Sequence, residues 1–256
     1  MLDSSRQFPP DFRLYLASQS PRRHSLLREM GVPYEVVATR GEEQSTGRQA
    51  TLAAEQNALN KVMGAVLPPD APAGAFVLGT DTVVVIDGVI LGKPRSQEEA
   101  REMLTALEGR THLVISGVAL MRVPSSGWSP SAAAGSDSGF GSSAGSWSTF
   151  SGQSSSGETD FGQAHPEGAS GAEVPVWVDH SLTRVTFRPL QSEDIAAYVS
   201  SREWVGKAGG YAIQGLAGLF VETIEGEYSN VVGLPLCLLR ELFCRAGFDL
   251  LKGRWV

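Results

Sequence analysis

The segment Ser18-Gln19-Ser20-Pro21-Arg22-Arg23 places two guanidinium groups at the start of a helix, with Ser20 as N-cap and Pro21 as first helical residue. A helix N-terminus carries partial positive charge and unpaired N–H groups, so acids are preferred there. Two arginines oppose that preference unless an anion binds at the same place. Fork-shaped guanidinium groups and backbone N–H groups then converge on phosphate oxygens. A solvated basic turn is the competing reading.

Other segments carry compatible chemistry. Gly79-Thr80-Asp81-Thr82 follows a short apolar strand, residues 76–79. An Asp beyond a strand end can hold a divalent metal or take a proton from water. Gly79 allows close backbone approach, and the competing role for Asp81 is to close a turn. Gly92-Lys93-Pro94 comes after Asp87-Gly88, whose tight turn can fold Lys93 back toward Asp81 as a point charge for phosphate. Glu42-Glu43-Gln44 offers paired acids, either metal ligands or a solvated loop. Lys61 borders the apolar face of a helix, where a lysine often only snorkels into water. In Lys207-Ala208-Gly209-Gly210-Tyr211-Ala212-Ile213-Gln214-Gly215, glycines permit close approach to a flat ligand. Gln214 can read the edge of a base, although a bulged strand with structural glycines explains the same residues. His24, His112, His165 and His180 form no ligand-spaced pair, and no Ser-His-Asp or Cys-His set is apparent. Water attack assisted by a metal is therefore favoured over covalent catalysis.

The elements that must position these groups alternate. Strands are expected at 13–17, 32–37 and 76–79, a hairpin at 83–86 and 89–91, and strands at 112–123 and 176–189. Helices are expected at 21–31, 51–66, 97–107, 192–200 (capped by Ser192) and 236–246, and paired strands at 218–224 and 228–232. Alternation of this kind indicates an α/β class. Residues 1–12 read as a loose leader.

Between Arg122 and Arg184 there is no Lys or Arg but six acids, so much of the net charge of −7 belongs to one segment. Residues 124–173 are mostly Ser, Gly and Ala with scattered Trp and Phe. They read as a flexible insertion at a hairpin tip, because such a segment buries too little apolar area to offset its ordering entropy. The acidic balance, with pI near 5.2, argues against a nucleic-acid or membrane-surface partner. No apolar run is long enough to span a bilayer and Phe8-Pro9-Pro10-Asp11 interrupts any signal segment, so a cytoplasmic location is expected. Cys237 and Cys244 are seven apart on a helical pattern, too far for a disulfide, and read as reduced thiols buried on one apolar face.

Taken together, LASQSPRR (16–23), the Glu42-Glu43 pair, LGTDTVVVIDG (78–88) with LGKP (91–94), TFRPL (186–190), KAGGYAIQG (207–215) and VVGLP (231–235) resemble the Maf family of nucleotide pyrophosphatases. The resemblance spans residues 13–246 apart from the insertion. It implies a mixed twisted sheet with flanking helices and two lobes around a cleft, of the Maf/ITPase-like kind. It also implies metal-dependent cleavage of a nucleoside triphosphate to the monophosphate and pyrophosphate, with Mg²⁺ or Mn²⁺. By that analogy Asp81 is the proton acceptor, and Glu43 and Asp81 hold the metal. Ser18, Arg22, Arg23, Lys61 and Lys93 bind phosphate, and Arg22, Thr82 and Gln214 govern base choice. The Gly-rich segment looks like the branch acting on dTTP and UTP, with modified pyrimidine nucleotides as further substrates. A 7-methyl-GTP pyrophosphatase and a non-enzymatic nucleotide-binding regulator are the alternatives, and a homodimer is one expected assembly. The usual A-x-x-K-A pattern is met here by Ala58-Leu59-Asn60-Lys61-Val62, with Val62 in place of Ala, and the long insertion is the larger departure.

Overall fold

The structure is a computed structural model that describes residues 7–41, 49–125 and 174–256. In chain order its elements are β1 (Leu14–Leu16), α1 (Pro21–Glu29), β2 (Glu35–Val36), α2 (Ala50–Met63), β3 (Phe76–Ile86), β4 (Val89–Leu91), α3 (Gln97–Leu107), β5 (Thr111–Arg122), β6 (Val176–Phe187), α4 (Ser192–Ser200), β7 (Val221–Glu225), α5 (Tyr228–Val232), α6 (Leu236–Arg245), β8 (Phe248–Asp249) and β9 (Arg254–Trp255). Short 3₁₀ turns occupy Ala208–Gly210 and Leu216–Leu219.

The main sheet runs β2-β1-β3-β5-β6-β7, with β4 also paired to β3. β1 is parallel to β2 and β3, and the other pairs are antiparallel, so the sheet is mixed. β3 carries the decisive feature. On one edge β1 pairs with Phe76–Leu78 and β4 pairs with Val84–Ile86. Between them, residues 79–83 meet no strand on that edge among the described residues, while β5 covers the other edge throughout.

Alternation along β3 sorts its side chains by face. Phe76 and Leu78 join a core with Leu16, Leu27, Phe243 and Phe248. Val84 and Ile86 join a second core with Leu104, Phe187, Tyr198 and Trp204. Thr80 and Thr82 fall between these two cores, which are the two lobes. Val77, Val83 and Val85 point the other way, toward the helix α2. That helix lies close because two strand positions lack a side chain. A Cβ on Gly79 would stand 2.5 Å from the Ala58 carbonyl oxygen, and one on Gly117 would stand 2.2 Å from that of Ala54. The close backbone approach expected at Gly79 is thus made by α2.

Several local expectations need correction. β3 is one strand from Phe76 to Ile86 and does not end at Gly79, so Asp81 lies mid-strand and closes no turn. Residues 228–232 form the helix α5 and not a strand. Their β-type composition is overridden by the buried Asn230 side chain, which donates to the Val114 carbonyl (3.0 Å) and to Thr183 Oγ1 (2.9 Å). Ser192 is the first residue of α4, and Gln191 is the cap. Ser20 does cap α1, but its side chain makes no cap hydrogen bond. Residues 7–12 are not loose, since Phe12 is buried in the first core. Cys237 and Cys244 are exposed. The apolar stripe of α6 is Leu238, Leu239, Leu242 and Phe243, and at 100° per residue both cysteines fall on the opposite face. The insertion, apart from residues 124–125, lies outside the described residues.

Candidate active site

The open edge of β3 is the floor of a cleft of about 370 Å³. The loop after β1 and the start of α1 form one wall, with Ser18, Arg22 and Arg23. The other wall is formed by Lys93, just after β4, and by the turn Lys207–Ala208. Ligands in open α/β sheets collect beyond the carboxyl ends of parallel strands, and β1 ends here.

Asp81 lies on the α2 face of β3 and is only 6% exposed. Its Oδ1 accepts from Lys61 Nζ at 2.7 Å, and its Oδ2 accepts from Asn57 Nδ2 at 2.8 Å. Lys61 Nζ also donates to the Thr80 carbonyl at 3.1 Å. Lys61 is therefore not a snorkelling surface lysine: it is buried and holds a charged carboxylate. Asn57 was not singled out from the sequence. Its signal was available, because it precedes Lys61 by four residues on α2 and so shares its face.

Thr82 points to the opposite face, between the lobes. Its Oγ1 accepts from an Arg23 terminal nitrogen at 3.2 Å and lies 2.9 Å from Ser116 Oγ. Arg23 also donates to Ser18 Oγ at 3.0 Å and to the Gly233 carbonyl at 2.8 Å. One buried guanidinium thus ties α1, β3 and the end of α5 together at the cleft. Gly233 closes α5 at φ 119, a left-handed geometry that glycine adopts without strain. Arg22 Nε donates to the Val232 carbonyl at 3.2 Å, and burial pushes its pKa down. A partly desolvated cation of this kind gains from a bound anion.

Of the expected residues, Ser18, Arg22, Arg23, Lys61, Asp81, Thr82 and Lys93 all line this one cleft. Gln214 lies in an exposed turn and is not among the lining residues. Glu43 lies outside the described residues. Within the Gly-rich segment the glycines serve packing, since a Cβ on Gly209 would meet Val84 at 2.9 Å and Gly210 faces Pro94 and Ala100, while Lys207, Ala208, Tyr211, Ala212 and Ile213 line the cleft. The Tyr211 hydroxyl lies 2.8 Å from His112 Nε2, and burial lowers the His112 pKa to about 4.

A divalent cation that arrives with phosphate needs only one or two protein carboxylates. Asp81 fits that demand, since a carboxylate with one donor on each oxygen keeps further lone pairs. Among the described residues another group could hold a metal: Glu55, Asp179 and His180. None of the three lines the cleft. They already pair, His180 Nδ1 with Glu55 Oε1 at 2.7 Å and Asp179 Oδ2 with Arg245 at 3.4 Å. Among the described residues no helix is long and apolar enough to cross a membrane.

A family model described as "Maf-like protein" matches residues 13–134 and 145–246. A dTTP/UTP pyrophosphatase of Dictyoglomus thermophilum is 35% identical over 240 residues, covering 93% of this chain and 98% of the relative. One from Anaeromyxobacter sp. is 38% identical over 240 residues, covering 93% and 92%. One from Moorella thermoacetica is 37% identical over 237 residues, covering 93% and 96%.

Proposed function

The chain belongs to the Maf-like family, and on that premise we propose that it hydrolyses dTTP and UTP to the monophosphate and pyrophosphate. One observation carries the reading. Asp81 is the sole carboxylate among the described residues lining a cleft that also holds Arg22, Arg23, Lys61, Lys93 and Lys207. A strongly cationic pocket in an acidic chain suits a polyphosphate, and a single buried carboxylate on its floor suits a proton acceptor.

Arg22, Arg23, Lys93 and Ser18 bind the phosphate chain, Arg23 being held in place by Thr82 and the Gly233 carbonyl. Lys61 holds one oxygen of Asp81, and Asn57 fixes the second. Asp81 accepts a proton as water attacks the α-phosphorus, and the bond to the bridging oxygen of pyrophosphate breaks. Asp81, with Glu43 by the family resemblance, would hold Mg²⁺ or Mn²⁺, which would neutralise phosphate charge and favour ionisation of the attacking water. By the family resemblance base choice falls to Arg22 and Thr82 in the cleft and to Gln214, which directly follows the lining residue Ile213, and modified pyrimidine nucleotides of similar shape are further substrates.

The test is pyrophosphate release across a nucleotide panel, with and without divalent metal. Release from dTTP and UTP that needs metal and is lost in Asp81→Asn supports the reading. Orthophosphate release, preference for 7-methyl-GTP, or binding without turnover overturns it.

A further inference from the structure

We propose that Lys207 is a further phosphate-binding residue, contacting the polyphosphate from the wall that faces Arg22. The inference rests on the polyphosphate reading of the cleft and extends it to a residue for which neither motif logic nor the Maf resemblance supplied a role.

The placement of Lys207 is built into the fold. It precedes the turn Ala208–Gly210, in which Gly209 and Gly210 adopt φ +66° and +71°. Gly209 packs on Val84 of β3, with no room for a side chain, and its N–H donates to the Gly92 carbonyl at 3.0 Å. Gly92 immediately precedes Lys93. The turn is thereby stitched to β3 and β4, and Lys207 and Lys93 come to the same wall. Across the open edge of β3, Arg22 stands on α1 beyond the end of β1. Cations on two separate lobes therefore face one space.

The charges point to an anion. Asp81 is already matched by Lys61, and Arg23 is bracketed by oxygens of Ser18, Thr82 and Gly233. Arg22 and Lys207 remain on opposite walls, and among the described residues Asp81 is the sole carboxylate that lines the cleft. Lys207 is half-buried, and its Nζ donates to the Val205 carbonyl at 3.1 Å, a neutral acceptor. Burial first, and then the charge of Arg22, push its pKa below that of an ordinary lysine, with Glu203 opposing. Two cations that repel each other across a cleft are relieved when a polyanion lies between them.

The experiment compares wild type, Lys207→Gln and Lys207→Arg in full-length protein, by calorimetric titration with inorganic pyrophosphate and by kinetics with dTTP and UTP. A lost charge-assisted contact weakens pyrophosphate binding and raises KM about tenfold or more in Lys207→Gln, with a smaller effect on kcat. Lys207→Arg restores both at neutral pH. It also moves the alkaline loss of pyrophosphate binding to higher pH, because guanidinium stays charged where this lysine does not. A folding role alone predicts no such shift, so Lys207→Arg decides the matter even if Lys207→Gln unfolds. Unchanged pyrophosphate affinity in a folded Lys207→Gln, or an unmoved alkaline limb in Lys207→Arg, overturns the proposal. Wild type that binds pyrophosphate but hydrolyses no nucleotide overturns the enzymatic reading while leaving the Lys207 result decisive.

Discussion

Lys61 Nζ lies 2.7 Å from Asp81 Oδ1, and both side chains are less than a tenth exposed. The pair joins a helix to the middle of a strand, and it forms because Gly79 and Gly117 let α2 lie against β3 and β5. A buried charge survives only with its partner, so the two residues stand or fall together.

Lys61→Met leaves the Asp81 carboxylate buried without its cation and lowers unfolding free energy by about 3–5 kcal/mol. Lys61→Met combined with Asp81→Asn removes both charges and recovers much of that loss. Urea denaturation of the two single variants and the double variant gives the coupling energy. Additive losses would argue against the pair.

Asn57→Ala removes the donor to Asp81 Oδ2 without touching the cleft lining. A hydrogen bond to a charged group contributes about 1.5–3 kcal/mol, so kcat is expected to fall roughly tenfold or more while KM for dTTP changes little. Steady-state kinetics separates the two. A rise in KM at constant kcat would instead place Asn57 among the substrate-binding groups.

Gly117→Ala sets a Cβ 2.2 Å from the Ala54 carbonyl oxygen, and the helix must lift to make room. The expected cost is about 1–3 kcal/mol, together with lost turnover because Asn57 and Lys61 ride on α2. Gly92→Ala is the control for stability: its Cβ would meet nothing within 4 Å, so the change should stay within about 0.5 kcal/mol. Equal unfolding curves for the two variants would contradict the packing described for α2.

His112 is buried, and burial lowers its pKa from 6.5 to about 4, so the native state holds it neutral. Between those values the unfolded chain binds the extra proton. Its stabilising effect is therefore complete above about pH 6.5 and is lost as pH falls toward 4, by about 3 kcal/mol. Denaturation midpoints at several pH values should decline across that window, and His112→Gln should flatten the decline. An unchanged slope in the variant would remove His112 from the account.

Local signals made much of the frame legible. Ser20-Pro21 marks the start of α1, Asp87-Gly88 the hairpin, and the periodicity of residues 97–107 the bounds of α3, because each is decided by neighbours in sequence. The site was partly legible for a different reason. Arg22 and Arg23 contradict the usual charge at a helix start, and that anomaly is visible without a fold.

The sequence by itself determined which chemical groups this protein has and the short elements that carry them. Only the tertiary structure decided that Asp81 sits mid-strand, paired by Asn57 and Lys61 from a helix some twenty residues earlier. It alone turned residues 228–232 into a helix. The physical reason is the same in each case. Local propensities amount to tenths of a kcal/mol per residue, whereas burying a side chain or satisfying a buried polar group amounts to a few, and those terms depend on partners distant in sequence.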